Sequence, residues 1–355
     1  MALRVRRSRS PIPAPPGVGV VFMRAGDPRV RSRLGAARER APHGASAAAS
    51  AADAEPRLQP RIPRVTALAS LLLLLLAACA REAPRPGPIA VRDDAGRQVT
   101  LARPARRIVS LAPSSTELLF ALAAGDRVIG RTTWCRFPPE AEAVPVVGDG
   151  LNPNIEAIAA RRPDLVVLYR SPLNETAAAQ LQRLGIAAVV VKQDRLEDVA
   201  RAARMLGALT DRAAAGDSLA ESLESVVGAS PPPTSPRPRL AFVVWHDPPV
   251  VIGRGSFLDQ LVELAGGINV FHDIEAASPA VAIETIVARD PDYVVFVSDD
   301  SVPQPPAWVS RPEWRAVRAV RQRRFLILPE SLFGRPSPRA AAAVADLARR
   351  LGEAP

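Results

Sequence analysis

The sequence predicts an α/β protein of two similar three-layer lobes joined by a long backbone helix, with a ligand cleft between them. Three observations predict it. Short apolar runs alternate with helical segments from Ile108 onward. A long helical tract interrupts that alternation near the middle of the chain. An internal repeat then places one supersecondary unit on each side of the tract.

The elements follow in order. Ile108 to Leu111 is apolar and β-branched and reads as a strand. Ser114-Ser115-Thr116-Glu117 has capping-box spacing, and Leu118, Leu119 and Leu122 continue one helix face. Val144 to Val147 reads as a second short strand, and Leu165 to Tyr169 as a strand buried on both faces. Glu175 to Leu184 reads as a helix stopped by Gly185, and Ile186 to Val191 as another strand. This order argues for a parallel sheet with helices on both faces. In the central tract Leu196, Val199, Ala203 and Leu206 share a face, and Gly207 interrupts it. Thr210 and Asp211 then stand as caps for a second helix from about Arg212 to Val227, some 24 Å long at ~1.5 Å per residue. A Pro-rich run from Pro231 to Pro238 ends it. Leu240 to Trp245, Tyr293 to Val297 and Phe325 to Leu328 read as strands, and Ala340 to Leu351 as a closing helix.

The repeat is the strongest signal. Ile155-Glu156-Ala157-Ile158 through Pro163-Asp164-Leu165-Val166-Val167 recurs, 128 residues on, as Ile283-Glu284-Thr285-Ile286 through Pro291-Asp292-Tyr293-Val294-Val295. Nine of thirteen positions are identical. Glu156 and Glu284 therefore hold the same helix position in each lobe. A first-turn acid suits the helix dipole. A pair of carboxylates, one per lobe, also suits basic sites on a two-fold symmetric partner.

Charge excludes one class of partner. The chain of 355 residues carries 46 basic and 36 acidic side chains, but residues 1–64 hold 13 Arg against 4 acids. The remainder has 33 basic (46 − 13) and 32 acidic (36 − 4) groups, so the basic balance argues for no nucleic-acid partner. Residues 1–64 have no sustained apolar period and read as a disordered or untranslated leader. Residues 65–79 resemble a bacterial lipoprotein signal: Arg61 and Arg64 flank an apolar stretch too short to span a membrane, and Leu76-Ala77-Ala78-Cys79 closes it. Cys79 is then the lipidated residue. Residues 80–105 read as a tether leading into the first lobe. The lobes are expected at 106–193 and 239–355, with 194–238 linking them. With Cys79 acylated, Cys135 has no disulfide partner.

Catalytic readings are weak. His43 lies in the leader, and His246 and His272 have no metal-ligand spacing. Gly253-Arg254-Gly255-Ser256 lacks the Lys of a phosphate loop and reads as a turn before a helix from Phe257. No Gly-x-Ser-x-Gly elbow occurs, and adjacent His246-Asp247 cannot form an oriented relay. The expectation is a protein that is no enzyme, with no catalytic residue, metal or cofactor of its own.

Five segments carry a family resemblance: Arg107 to Leu118, Phe137-Pro138-Pro139, Pro163 to Val166, Leu264 to Phe271, and Arg335-Pro336-Ser337-Pro338-Arg339. In that order they resemble periplasmic substrate-binding proteins with a helical backbone between lobes, which serve importers of vitamin B12, haem and ferric siderophores. The vitamin B12 binders are the most similar. The resemblance implies a substrate-binding lipoprotein of an ABC importer, periplasmic and lipid-anchored to a bacterial membrane. It would pass a bulky metal chelate, a corrinoid or alternatively a ferric siderophore or haem, to a permease dimer with ATPase subunits. It puts permease docking on Glu156 and Glu284, and ligand contacts on Trp134, Tyr169 and Arg335. Three aromatic positions of the vitamin B12 binders are here Gly150, Val250 and Ser278. Trp245 and His246, at a strand end in the second lobe, are candidates to replace them; Tyr169 or His246 could ligate haem iron.

Overall fold

A computed structural model describes residues 87–232, 236–298 and 304–353. The leader, the signal stretch and Cys79 lie outside the described residues.

The first lobe opens with an antiparallel hairpin of β1 (Ile89–Arg92) and β2 (Gln98–Leu101). Val99 and Leu101 point into the core, and buried Asp93 caps the turn through the Ala95 and Arg97 amides. This hairpin occupies part of the 80–105 stretch expected as tether and entry to the lobe. There follow β3 (Ile108–Ser110), α1 (Pro113–Ala121), β4 (Val128–Thr132), β5 (Val146–Gly148), α2 (Ile155–Ala160), β6 (Leu165–Tyr169), α3 (Pro172–Arg183) and β7 (Ala188–Val191). The five later strands form one parallel sheet in the order β5-β4-β3-β6-β7. Strand β6 explains its unbroken apolar run: Leu165 and Val167 join the core facing the linking helices, Val166 and Leu168 the core on the other face. Successive side chains alternate faces, and both faces are covered.

The link is a helical hairpin, α4 (Leu196–Leu209) and α5 (Ala213–Val227). Gly207 and Gly216 let the two backbones touch. A Cβ at Gly207 would lie 3.1 Å from the Gly216 Cα, and one at Gly216 only 2.6 Å from the Ala203 carbonyl oxygen. Thr210 does not cap the second helix; its hydroxyl donates back to the Leu206 carbonyl, and α5 starts without a side-chain cap. Helix α4 packs on the first lobe and α5 on the second.

The second lobe contains β8 (Arg239–His246), β9 (Pro249–Val251), α6 (Phe257–Leu264), β10 (Ile268–Asn269), α7 (Ile283–Arg289), β11 (Tyr293–Ser298), α8 (Arg318–Arg321), β12 (Phe325–Pro329), α9 (Glu330–Phe333) and α10 (Ala340–Glu353). Its parallel strands are ordered β10-β8-β11-β12, and β9 pairs antiparallel with β8. Ser256 caps α6, as the turn reading expects. The same face alternation recurs: Leu240, Phe242, Tyr293, Val295 and Val297 join the core shared with the first lobe, while Ala241, Val243, Val294 and Phe296 form a core on the outer face.

The repeat has a structural cause. In the first lobe, Asp164 accepts from the Arg106 and Arg107 amides, and the Arg107 side chain donates to the Arg161 and Arg162 carbonyls that end α2. In the second, Asp292 accepts from the Arg239 amide, and Arg239 donates to the Arg289 carbonyl that ends α7. Arg162 and Asp290, at matching positions, both take positive φ at the helix exit. Pro-Asp and the strand-leading Arg thus tie each helix exit to the start of the neighbouring strand, β3 or β8. Glu156 and Glu284 take no part. Both are exposed and make no ion pair or hydrogen bond among the described residues.

Candidate functional site between the lobes

In each parallel sheet the strand order reverses once: between β3 and β6 in the first lobe, between β8 and β11 in the second. Loops diverge at such points and leave a crevice at the carboxyl ends of the strands. The candidate residues cluster there in sequence. Trp134 follows β4, Tyr169 ends β6, and Trp245 and His246 end β8.

The two lobes are joined across this end by a polar clasp. Ser114 donates to the Pro336 carbonyl at 2.5 Å. Glu117, on α1, accepts from Ser337 at 2.5 Å, from Arg339 Nε at 2.6 Å and from Arg335 Nε at 3.1 Å. The Glu117 carboxylate is buried, and the ring of Phe137 lies under the Arg339 guanidinium at 3.6 Å from its centroid. This corrects the capping-box reading: α1 begins at Pro113 with Ala112 as an uncapped N-cap, and Ser114 and Glu117 reach across to the other lobe. Arg335, expected to touch ligand, is held here by Glu117.

Tyr169 is half-buried, and its hydroxyl donates to Asp194 Oδ1 at 2.5 Å. Burial holds the Asp194 carboxyl above its ordinary range, against the opposing pull of that hydrogen bond. On the second lobe the Trp245 indole is half exposed and fixed by a hydrogen bond from its Nε1 to the Asp247 carbonyl. Its ring lies 5.0 Å from His246, which stacks nearly parallel on Trp308 at 5.4 Å. Burial, then the Arg311 charge, pushes the His246 pKa down. Trp308 was not singled out from sequence, and Glu117 and Phe137 were named there only within a helix cap and a family motif. Their roles rest on contacts between distant segments, which local spacing does not show.

Five buried side-chain polar atoms among the described residues have no hydrogen-bond partner: Arg127 Nε, just before β4, and Trp134 Nε1, Asn174 Oδ1, Gln193 Nε2 and Ser278 Oγ. Asn174 lies in the first turn of α3, after β6, and Gln193 just past β7. An unpaired buried polar atom costs roughly 1–3 kcal/mol, and three of these, on Trp134, Asn174 and Gln193, follow the carboxyl ends of β4, β6 and β7. Gly150, where the resemblance expects an aromatic, has φ +85, and a Cβ there would meet the Leu111 carbonyl oxygen at 2.6 Å. No aromatic side chain fits that backbone. Val250 pairs directly with Trp245 across the β8–β9 ladder. The indole therefore stands beside the position where the aromatic is missing.

The description "Periplasmic binding protein" matches residues 108–332. The chain belongs to this family of periplasmic binding proteins. It is a substrate-binding protein of an ABC importer. This binding protein is 29% identical over 278 residues to an ABC transporter substrate-binding lipoprotein of Bacillus subtilis (strain 168), covering 74% of this chain and 85% of that one. It is 31% identical over 193 residues to the vitamin B12-binding protein of Salmonella typhimurium (strain LT2), covering 54% and 72%. Among solved structures it resembles a periplasmic haem-binding protein of Roseiflexus sp. RS-1 in apo form, with a TM-score of 0.62, 26% identity, and coverage of 70% and 99%. These relatives are named as binding proteins and importer components, not as enzymes.

Truncation tests the placement of the site in this binding protein. Trp134→Ala and Tyr169→Ala should each weaken ligand binding by roughly 1 kcal/mol, the scale of an aromatic contact. Circular dichroism should show the fold retained. Normal binding by both variants, or unfolding of both, would place these residues in the structural core.

Proposed function

We propose that the protein captures a corrinoid, cobalamin or a precursor, and delivers it to a two-fold symmetric permease without itself catalysing a reaction. The observation that carries this reading is the set of unpaired atoms past the carboxyl ends of β4, β6 and β7: the Trp134 indole N–H, the Asn174 carboxamide oxygen and the Gln193 carboxamide nitrogen. All are neutral, and they include both donors and acceptors. A corrin ring carries neutral amide arms that offer the complementary atoms. Haem carries anionic propionates, which call for fixed cations, and the guanidinium of Arg335 is bound to Glu117. The exposed, hydrogen-bonded Trp245 adds a flat apolar surface for a macrocycle. Vitamin B12-binding relatives support the same choice.

Haem is the second reading, and His246 favours it. Burial favours its neutral form, and no hydrogen bond to its ring nitrogens occurs among the described residues. Neutral imidazole is an axial ligand for iron. Tyr169 is the weaker candidate, because Asp194 already holds its hydroxyl. Titrating the purified protein with cobalamin, cobinamide, haem and a ferric siderophore separates the readings. Tight binding of haem or the siderophore alone would remove the corrinoid.

Anchoring and docking complete the proposal. Cys79 carries the lipid at the periplasmic face of a bacterial membrane, and Glu156 and Glu284 dock the permease. Mass spectrometry of the native N-terminus should find Cys79 diacylated and the leader gone. A mature chain that keeps Arg57 to Arg64 would contradict the anchor.

A further inference from the structure

On one flank of the second lobe lies a cavity of about 420 Å³, lined by Asp259, Glu263, His272, Arg195, Arg254 and Glu275 among others. None of the residues proposed for ligand capture lines it. Asp259 and Glu263 are four apart on α6, so they share a helix face. His272 lies three residues past β10. One ligating atom from each of the three falls within 4.8 Å of the others. His272 Nδ1 is 3.0 Å from Asp259 Oδ2 and 3.4 Å from Glu263 Oε1. Four ligands set tetrahedrally at ~2.1 Å from one ion would stand about 3.4 Å apart. The observed separations already approach that spacing.

Burial grades the three groups. The Asp259 side chain is 1% exposed, whereas those of His272 and Glu263 are 43% and 49% exposed. No Lys or Arg pairs with Asp259 among the described residues, although a buried carboxylate calls for a cation. Its Oδ1 accepts from Asn269 Nδ2 at 2.7 Å, and Asn269 also donates to the Ile252 carbonyl. That contact fixes the carboxylate's orientation, as an outer-shell partner does for a metal ligand. A plain Asp–His hydrogen bond accounts for Asp259 and His272. It leaves unexplained why a second carboxylate converges on the same imidazole nitrogen beside an open polar cavity.

We propose that Asp259, Glu263 and His272 bind a transition-metal dication of the zinc class. One imidazole nitrogen and two carboxylate oxygens suit such a borderline ion, and the cavity leaves a fourth position open to water. The ion would tie the segment after β10 to α6. That segment lies on the Gly253–Gly255 turn, where a Cβ at Gly255 would meet the Glu275 carbonyl oxygen at 2.5 Å. Arg254 pairs with Glu275 at 2.5 Å, and Arg195, at the start of the linking hairpin, donates to the Arg254 carbonyl at 2.7 Å. The metal therefore stiffens the segment leading to Ser278 and its junction with the hairpin.

The test uses the full chain, stripped with chelator and titrated with Zn²⁺ by calorimetry, with Mg²⁺ as the hard-ion control. One Zn²⁺ should bind in the micromolar range, and excess Zn²⁺ should raise the melting temperature by about 5 °C. Glu263→Gln and His272→Gln should each weaken Zn²⁺ binding roughly tenfold or more. Both groups are partly exposed, so the metal-free melting temperature should stay at the wild-type value. His246→Gln should bind Zn²⁺ as wild type does. Absence of binding at millimolar Zn²⁺ overturns the proposal. So does unchanged affinity in Glu263→Gln and His272→Gln, or loss of binding in His246→Gln.

Discussion

Glu156→Arg combined with Glu284→Arg should abolish uptake while the ligand affinity of the isolated protein stays unchanged. The structure sharpens the reason. In the repeated unit the Pro-Asp pair and the strand-leading Arg have structural partners in both lobes. The two Glu side chains have none among the described residues, yet they stand exposed at equivalent positions. A partner with two-fold symmetry presents two equivalent basic sites, which one carboxylate per lobe can meet. An exposed ion pair contributes only ~0–1 kcal/mol, so a single neutral substitution should look mild. Reversal at both places adds repulsion to each contact. Transport assays in vesicles beside calorimetric titration read the two halves separately. A double variant that still docks but no longer binds ligand would refute the assignment.

The second large effect concerns the clasp. Glu117→Ala should destabilise the protein by about 3 kcal/mol, at the lower end for breaking a buried ion pair. The lower end applies because Arg335 and Arg339 retain 14% and 28% side-chain exposure and can regain some water. For a protein of this size the melting temperature should fall by roughly 5 °C. Differential scanning calorimetry decides it. A drop of under about 1 °C would show that the clasp contributes little, the usual result for a surface pair.

The strands at the sheet centres were legible because burial on both faces leaves an unbroken apolar run, as in Leu165–Tyr169 and Tyr293–Ser298. Strand β4 was not, because its sequence contains Gly130 and Arg131. Arg131 is nevertheless buried, and its guanidinium donates to the carbonyls of Thr132, Glu142 and Val144. The hairpin at 89–101 escaped because its two strands are only four residues each and bury just Val99 and Leu101, too short a pattern to stand out. Local chemistry also misled at helix starts. Ser114 and Glu117 have the spacing of a cap, but their partners lie 222 and 220 residues away. Of the candidate site residues, Trp134 and Tyr169 came from the family resemblance, and Trp245 and His246 from their place at a strand end. Asn174, Gln193 and Trp308 could not be singled out, since their significance lies in a missing partner or a ring contact that only folding brings about.

The glycine contact in the linking hairpin has a consequence for avidity. With Gly207 and Gly216 backbone to backbone, the two helices act as one strut. The strut and the clasp together fix the span between Glu156 and Glu284, as the jaws of a caliper are fixed. Were the two carboxylates to dock as proposed, the first contact would hold the second at a high effective concentration over its site. A bulkier residue at Gly216 would spread the jaws and lose that advantage. The receptor would then grip its permease one point at a time, with both carboxylates and the whole ligand site still in place.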